Sequence, residues 1–326
     1  MNSHVFLYEV FSEEELSLRR LLPPGIIAEF SPLSIQETGH KAPPADVISI
    51  RTQSVVPPEW AKSLKAVLSR SAGFDHLNHF KQQTGTSAQL GHLFQYSGRA
   101  VAEQAAMLWM CLLRKLPMQM ESARSFSRDG LTGRECAGKT VSIFGVGDIG
   151  HNIARVARGL DMQVLGVDIV LRHSDIHYVS ADEGLTRADI IVCAMNLTGD
   201  NSGYFNMEKL RTCRTGMIFI NIARGEFVRT RDLVQLLDEN KLGGVGLDVY
   251  PDETKLGPAL RENRPADYPE LAAFQKLSHR QNVILTPHNA FNTLEAVERK
   301  SAQTARQLDA FFNHGKFLED SQLEHE

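Results

Sequence analysis

The sequence predicts an α/β protein built as two doubly wound parallel-sheet domains, one smaller than the other. Three observations carry this. Short aliphatic runs alternate with helical stretches from residue 4 onward, and such alternation implies a parallel sheet with helices on its faces. One long apolar helix near residue 100 interrupts the series, which restarts near residue 140. At the restart a strand runs directly into a G-x-G-x-x-G loop and a helix.

In chain order, "HVFLYEV" reads as a first strand, "ADVISIRTQSVV" as a second and "LKAVLSRSAGFDHL" as a third, ending at Gly73. "PPEW" reads as a Pro-rich loop. In "SGRAVAEQAAMLWMCLLRKLP" the apolar residues recur at helical spacing, with Ser97 suited to the N-cap and Pro117 to the end. A helix this apolar is expected to join two domains or to lie at a subunit interface. After the turn-rich "SRDGLTGRECAGK" the strands are "TVSIFGVG", "QVLGVD", "DIIVCAM", "MIFINIA", "VGLDVY" and "NVILTPH", with helices such as "TRDLVQLLDEN" between them. "LGPALRENRPADYPE" reads as a second Pro-rich loop. A last helix, roughly 294–313, ends near Gly315. It is expected to return to the first domain, whose N-terminal segment is too small for a complete two-layer fold. The expected division is 1–100, completed by the helical segment 294–326, against 101–293.

The bulk numbers exclude several classes. Of 326 residues, 42% are apolar and 23% charged, the balance of an ordinary globular protein. A net charge of −4 leaves no basic footprint for nucleic acid. The longest apolar run of note, "AAMLWMCLL", is too short to span a bilayer, and the N-terminus reaches Glu9 before a signal-peptide core fits. Cys111, Cys136, Cys193 and Cys213 lie far apart with no C-x-x-C pair. They read as buried apolar side chains in a reducing compartment, the cytoplasm, and form neither a disulfide framework nor a metal site.

The strongest local signal is "TVSIFGVGDIGHNIARVARGLDMQVLGVD". Gly145 permits the tight turn, Gly147 lets a pyrophosphate approach the backbone, and Gly150 lets the helix pack close to its strand. The helix N-terminus then offers free N–H groups and positive dipole to phosphates. Asp148 is placed to cap that helix, and Ile149 follows it at the cofactor. His151 reads as a solvated helix residue. Asp168 ends the second strand about 20 residues on, where a carboxylate accepts ribose hydroxyls and repels a 2′-phosphate. The expected cofactor is therefore NAD, on a Rossmann-type sheet.

Three further fragments, "INIARGEFV", "GLDVYPDE" and "LTPHNAF", end strands of the same sheet. Open parallel sheets bind ligands outside their strand C-termini, so the fragments converge on one crevice. With "SAGFDHLN" and "YSGRAVAEQA" upstream, they resemble the D-isomer-specific 2-hydroxyacid dehydrogenase family over roughly 70–310, leaning to its D-lactate dehydrogenase branch. The resemblance implies a flavodoxin-like substrate domain beside the NAD domain, with catalysis in the cleft between them. It implies that Arg224 grips the substrate carboxylate, through a planar fork that lysine lacks. His288 is then the acid/base, and Glu253 bonds the imidazole and favours its charged form. Asp252, one residue away, is a rival for that partnership. Asp248 meets the nicotinamide side. Ala72 and Gly73 offer backbone N–H groups to the carboxylate, and Tyr96 lines the pocket.

Some positions depart from the family. Asn196, after Met195, stands where a proline usually lies beside the cofactor, and Asn201 stands where polar contacts to that loop are expected. Ile222 and Ala223 replace small or hydroxyl residues before the arginine. The stretch between Glu253 and His288 exceeds the family's short version. The resemblance implies a small D-2-hydroxy acid or 2-keto acid substrate, D-lactate/pyruvate-like, no metal, and a homodimer formed through the NAD domain. Two alternatives stay open: a larger or phosphorylated substrate reached by Arg51 and Arg70, and an NAD(H)-sensing corepressor-type protein on the same fold.

Overall fold

The computed structural model describes residues 3–265 and 267–318. The chain divides into two compact units, Met1–Ser97 with Asn292–Glu326, and Gly98–Phe291.

The first unit runs β1 (His4–Leu7), α1 (Ser12–Leu21), β2 (Ile27–Phe30), α2 (Ile35–Thr38), β3 (Val47–Ile50), β4 (Ala66–Ser69), α3 (Asp75–Thr84) and β5 (Gln89–His92). Its sheet has the order β2-β1-β3-β4-β5, with every pair parallel. This is the flavodoxin-like order. All of β3 and β4 is buried, as a sheet covered on both faces requires. β2 and β5 are not among the strands expected from the sequence. β2 is an edge strand that exposes alternate residues, and β5 spends two of its four residues on Gly91 and His92. The "PPEW" segment is not a plain loop: a 3₁₀ turn over Pro58–Lys62 buries Trp60. From the far end of the chain α12 (Leu294–His314) packs along α1, where Ser17 Oγ donates to Glu298 Oε2 at 2.6 Å. Gly315 ends α12 in the left-handed conformation, φ 74°.

The second unit runs α4 (Gly98–Leu113), α5 (Leu116–Ser122), β6 (Thr140–Phe144), α6 (Asp148–Gly159), β7 (Gln163–Val167), α7 (Ala181–Arg187), β8 (Ile190–Cys193), α8 (Met207–Thr212), β9 (Met217–Asn221), α9 (Thr230–Asp238), β10 (Leu242–Leu247), α10 (Glu253–Arg261), α11 (Pro269–Ser278) and β11 (Val283–Leu285). The sheet order is β11-β10-β9-β8-β6-β7, again all parallel. A parallel bridge of Gly166 to Tyr178 extends it beyond β7 by one residue of a vestigial strand. Counting that bridge, the order is the Rossmann one, and the switch point falls between β6 and β8.

Two expectations about proline need correction. Pro117 does not end α4. The helix stops at Leu113, Lys115 turns the chain at φ 54°, and Pro117 sits in the first turn of α5, where its missing N–H costs nothing. The segment "LGPALRENRPADYPE" is helical at both ends, with Pro258 inside α10 and Pro269 opening α11. α4 lies on α6, β9, β10 and β11 of its own unit and buries Ala102, Ala105, Leu108 and Trp109 completely. Phe144, Phe205, Phe219 and Phe227, all fully buried, fill the core on the unit's other side.

Candidate active site

The C-terminal ends of β6 to β11 carry the predicted residues of the second unit. After β6, Gly145 turns at φ 90°, and a Cβ there would lie 2.6 Å from the Ala194 backbone and Met195 N. A Cβ at Gly150 would lie 2.0 Å from Gly145 O. Both glycines therefore hold α6 and the end of β8 against the loop. Gly147 differs: nothing lies within 4 Å of its would-be Cβ. It is the N-cap of α6 and makes no side-chain cap bond, so the cap is not Asp148, which is exposed in the first turn beside half-buried Ile149. Open space over bare helix N–H groups is what a pyrophosphate needs. Asp168 is fixed from both sides, Oδ2 accepting Val146 N–H at 2.6 Å and Oδ1 accepting Val170 N–H at 3.0 Å.

Beyond β8, Met195 is half-buried and Asn196 exposed. Asn201 staples this loop, accepting from Thr198 N–H at 2.8 Å and donating to Asn196 O at 2.9 Å. Beyond β9, the Asn221 amide accepts from Ala223 N–H at 3.1 Å and donates to Arg224 O at 2.8 Å. This local bonding is a common device for bending a chain out of a strand. It leaves Ile222 and Ala223 buried and Arg224 half-buried. Gly225 presses so closely on the Tyr250–Pro251 backbone that no side chain fits, which brings the arginine loop against the loop after β10.

In that second loop, Asp252 turns the chain at φ 54° and Glu253 opens α10. Glu253 Oε2 meets His288 Nδ1 at 2.7 Å, and Oε1 accepts Tyr250 N–H at 3.0 Å. Burial works against the charged carboxylate. The nearby His288 and Arg224, with these hydrogen bonds, outweigh it and hold Glu253 below the ordinary carboxylate range. His288 itself sits at φ 51°. Fully buried Asp248 holds its loop by accepting from Thr286 Oγ1 at 2.5 Å, Asn289 N–H at 2.8 Å and Ala290 N–H at 2.8 Å. Burial pushes the Asp248 carboxyl up, against the pull of those bonds. Tyr250 OH adds a further tie, donating to Thr286 O at 2.8 Å.

A family model, the NAD-binding domain of the D-isomer specific 2-hydroxyacid dehydrogenases, matches residues 106–290, more than half of the chain. The chain belongs to this family. The dehydrogenase is 32% identical over 243 residues to a D-lactate dehydrogenase of Streptococcus agalactiae serotype III (strain NEM316), covering 72% of each chain. It is 31% identical over 243 residues to a 2-hydroxyacid dehydrogenase homolog of Haemophilus influenzae, covering 73% of this chain and 72% of that one. Among solved structures it resembles a D-lactate dehydrogenase from Aquifex aeolicus complexed with NAD and lactic acid. The TM-score is 0.81 at 27% identity, over 96% of this chain and 98% of that one.

The dehydrogenase is thus an NAD-dependent oxidoreductase acting on a CH–OH group, and its glycine loop fits that cofactor. Asn221, Tyr250 and Thr286, which shape the loops, are not among the residues singled out by sequence. Each stood beside a motif residue, in "FINIARGE", "DVYPDE" and "LTPH", but bonding to a neighbouring backbone leaves no spacing signature. In the first unit Ala72 and Gly73 follow β4, and Tyr96 is buried, its carbonyl accepting from Arg299 Nε at 2.8 Å. Arg70 is fully buried, and all three of its nitrogens are engaged: with Glu14 Oε1 at 2.8 Å, Ser49 Oγ at 3.0 Å and Tyr8 O at 2.6 Å. It is neither a surface arginine nor available to a substrate phosphate.

Proposed function

We propose that the dehydrogenase interconverts a small 2-keto acid of the pyruvate class and its D-2-hydroxy acid. The observation that carries the reading is the 2.7 Å His288–Glu253 pair with Arg224 close by. The similarity to D-lactate dehydrogenases at about this identity supports it. Bound NADH supplies the hydride. Glu253, ionised, takes Nδ1–H of His288 and leaves Nε2 to give its proton to the keto oxygen during reduction, or to take the hydroxyl proton during oxidation. Arg224 clamps the substrate carboxylate through two parallel N–H groups. Backbone N–H groups of Ala72 and Gly73 are proposed as further carboxylate donors, and Tyr96 as a wall of the pocket.

Around the cofactor, Gly145, Gly147, Asp148, Ile149 and Gly150 would hold the pyrophosphate and Asp168 the ribose hydroxyls. Met195, Asn196, Asn201, Ile222, Ala223 and Asp248 would bound the nicotinamide side. Asp248 would do so as the buried anchor of the His288 loop. A homodimer through the second unit is part of the proposal. It is supported by Met107, Met110, Leu116, Met120 and Phe126, large apolar side chains exposed on α4, α5 and the following turn. Four free cysteines support a reducing, cytoplasmic setting.

The test is turnover of pyruvate, glyoxylate, hydroxypyruvate, phenylpyruvate and 2-ketoisocaproate with NADH, with the chirality of each product determined. Pyruvate should give the highest kcat/KM and a D product. A clear preference for either bulky keto acid would overturn the substrate class. A light-scattering mass of one chain would overturn the dimer.

A further inference from the structure

The connection between β7 and α7, which leaves the sheet at the opposite edge from the strand that leads to His288, brings three potential metal ligands together. His151 lies in α6 directly after Gly150, while His173 and Asp175 lie in the irregular segment that follows Asp168. The His151 ring is not simply solvated. It stacks on His173 with centroids 4.0 Å apart and planes within 2°, and its Nε2 lies 3.1 and 3.2 Å from the two carboxylate oxygens of Asp175. One ligand atom from each of the three residues lies within 4.8 Å of the others. Arg158 Nη1 holds Asp175 Oδ2 at 2.6 Å and Nη2 bonds the Asp175 carbonyl, so the carboxylate is held by Arg158 as well as by His151. Such an outer partner commonly fixes a ligating carboxylate.

Two imidazoles and one carboxylate suit a borderline ion, whereas magnesium and calcium prefer all-oxygen shells. We propose that His151, His173 and Asp175 bind a divalent transition-metal ion of the zinc class. Water takes the fourth position, and the ion clasps the segment after Asp168 to α6. Zinc–nitrogen bonds of about 2.0–2.1 Å place tetrahedral ligand atoms about 3.4 Å apart. The rings must therefore leave their parallel stacking by roughly 1 Å, a movement open to His173 because it lies outside helix and strand.

The test is calorimetric titration of the full chain with ZnCl₂, paired with the visible spectrum of the Co²⁺-loaded protein. Wild type, His173→Asn, Asp175→Asn and Glu253→Gln are compared, with circular dichroism to show that each is folded. Wild type should bind one ion per chain and give the intense absorption of tetrahedral cobalt. His173→Asn and Asp175→Asn should weaken binding by at least ~10-fold, since losing a ligand costs no less than losing an outer partner. Glu253→Gln should bind as wild type does. Absence of binding, equal affinity in the His173 and Asp175 variants, or loss of binding in Glu253→Gln would each overturn the assignment.

Discussion

His288 occupies a left-handed conformation, φ 51°, which costs a non-glycine residue on the order of 1–2 kcal/mol. The cost is met locally. Asp248 accepts two backbone N–H groups just past His288 and the Thr286 hydroxyl just before it, so the loop is held from both sides of the strained residue. The ring partner is then fixed by Asp252, whose own left-handed turn starts α10 at Glu253. That choice was open in the sequence, because two acids one residue apart differ only in the direction the backbone gives them. Glu253 is held below the ordinary carboxylate range, so it stays ionised from neutral into mildly acid solution. Glu253→Gln keeps the shape of the ring's partner and removes its charge. kcat for reduction should fall at least ~10-fold while Asp252→Asn stays near wild type, since a histidine without its ionised orienting partner loses its working tautomer. A Glu253→Gln rate near wild type, with Asp252→Asn impaired instead, would contradict the pairing.

At the scale of elements, the glycine loop separates folding from function. A Cβ at Gly150 meets the Gly145 carbonyl, which is backbone and cannot turn aside, so Gly150→Ala must push α6 off β6. A loss of about 1–3 kcal/mol is expected on denaturation, together with weaker NADH binding. A Cβ at Gly147 meets no protein atom within 4 Å. Gly147→Ala should therefore keep the wild-type melting temperature while NADH affinity falls at least ~10-fold, about 1.4 kcal/mol. A fall in both, or in neither, would show that the space over Gly147 is not where the cofactor lies. These roles were legible because glycine's reasons are local. The strands of the second unit were legible as mostly apolar runs, most of them ending in a motif. β2 and β5 were not, since a four-residue strand at a sheet edge needs no such run. Nor was the break between α4 and α5, which depends on Lys115 accepting a left-handed turn before Pro117.

At the scale of the whole molecule, the mild net charge conceals a buried ionic cluster in the first unit. Glu14, Arg70 and Lys300 are fully buried, with Glu14 Oε1 2.8 Å from both Arg70 Nε and Lys300 Nζ. Burial alone would raise the Glu14 carboxyl, but Arg70, Lys300 and Arg51 bring it down to about 2. Burial and the two arginines hold the Lys300 ammonium down at about 7, against the pull of Glu14. The unfolded chain therefore binds the lysine proton more readily than the folded one between about 7 and 10.5, and stability should rise with pH across that window. Lys300→Met should flatten the rise, read as the denaturation midpoint against pH. Glu14→Gln strands the buried Arg70 cation and should cost about 3–5 kcal/mol at neutral pH. Turnover by the dehydrogenase depends on hydride transfer assisted by one histidine. The most direct test is kcat for pyruvate reduction by NADH in His288→Ala against wild type, with NADH affinity measured alongside. A fall on the order of 10²–10⁴ with NADH binding intact is expected. Turnover within a few-fold of wild type would contradict the account.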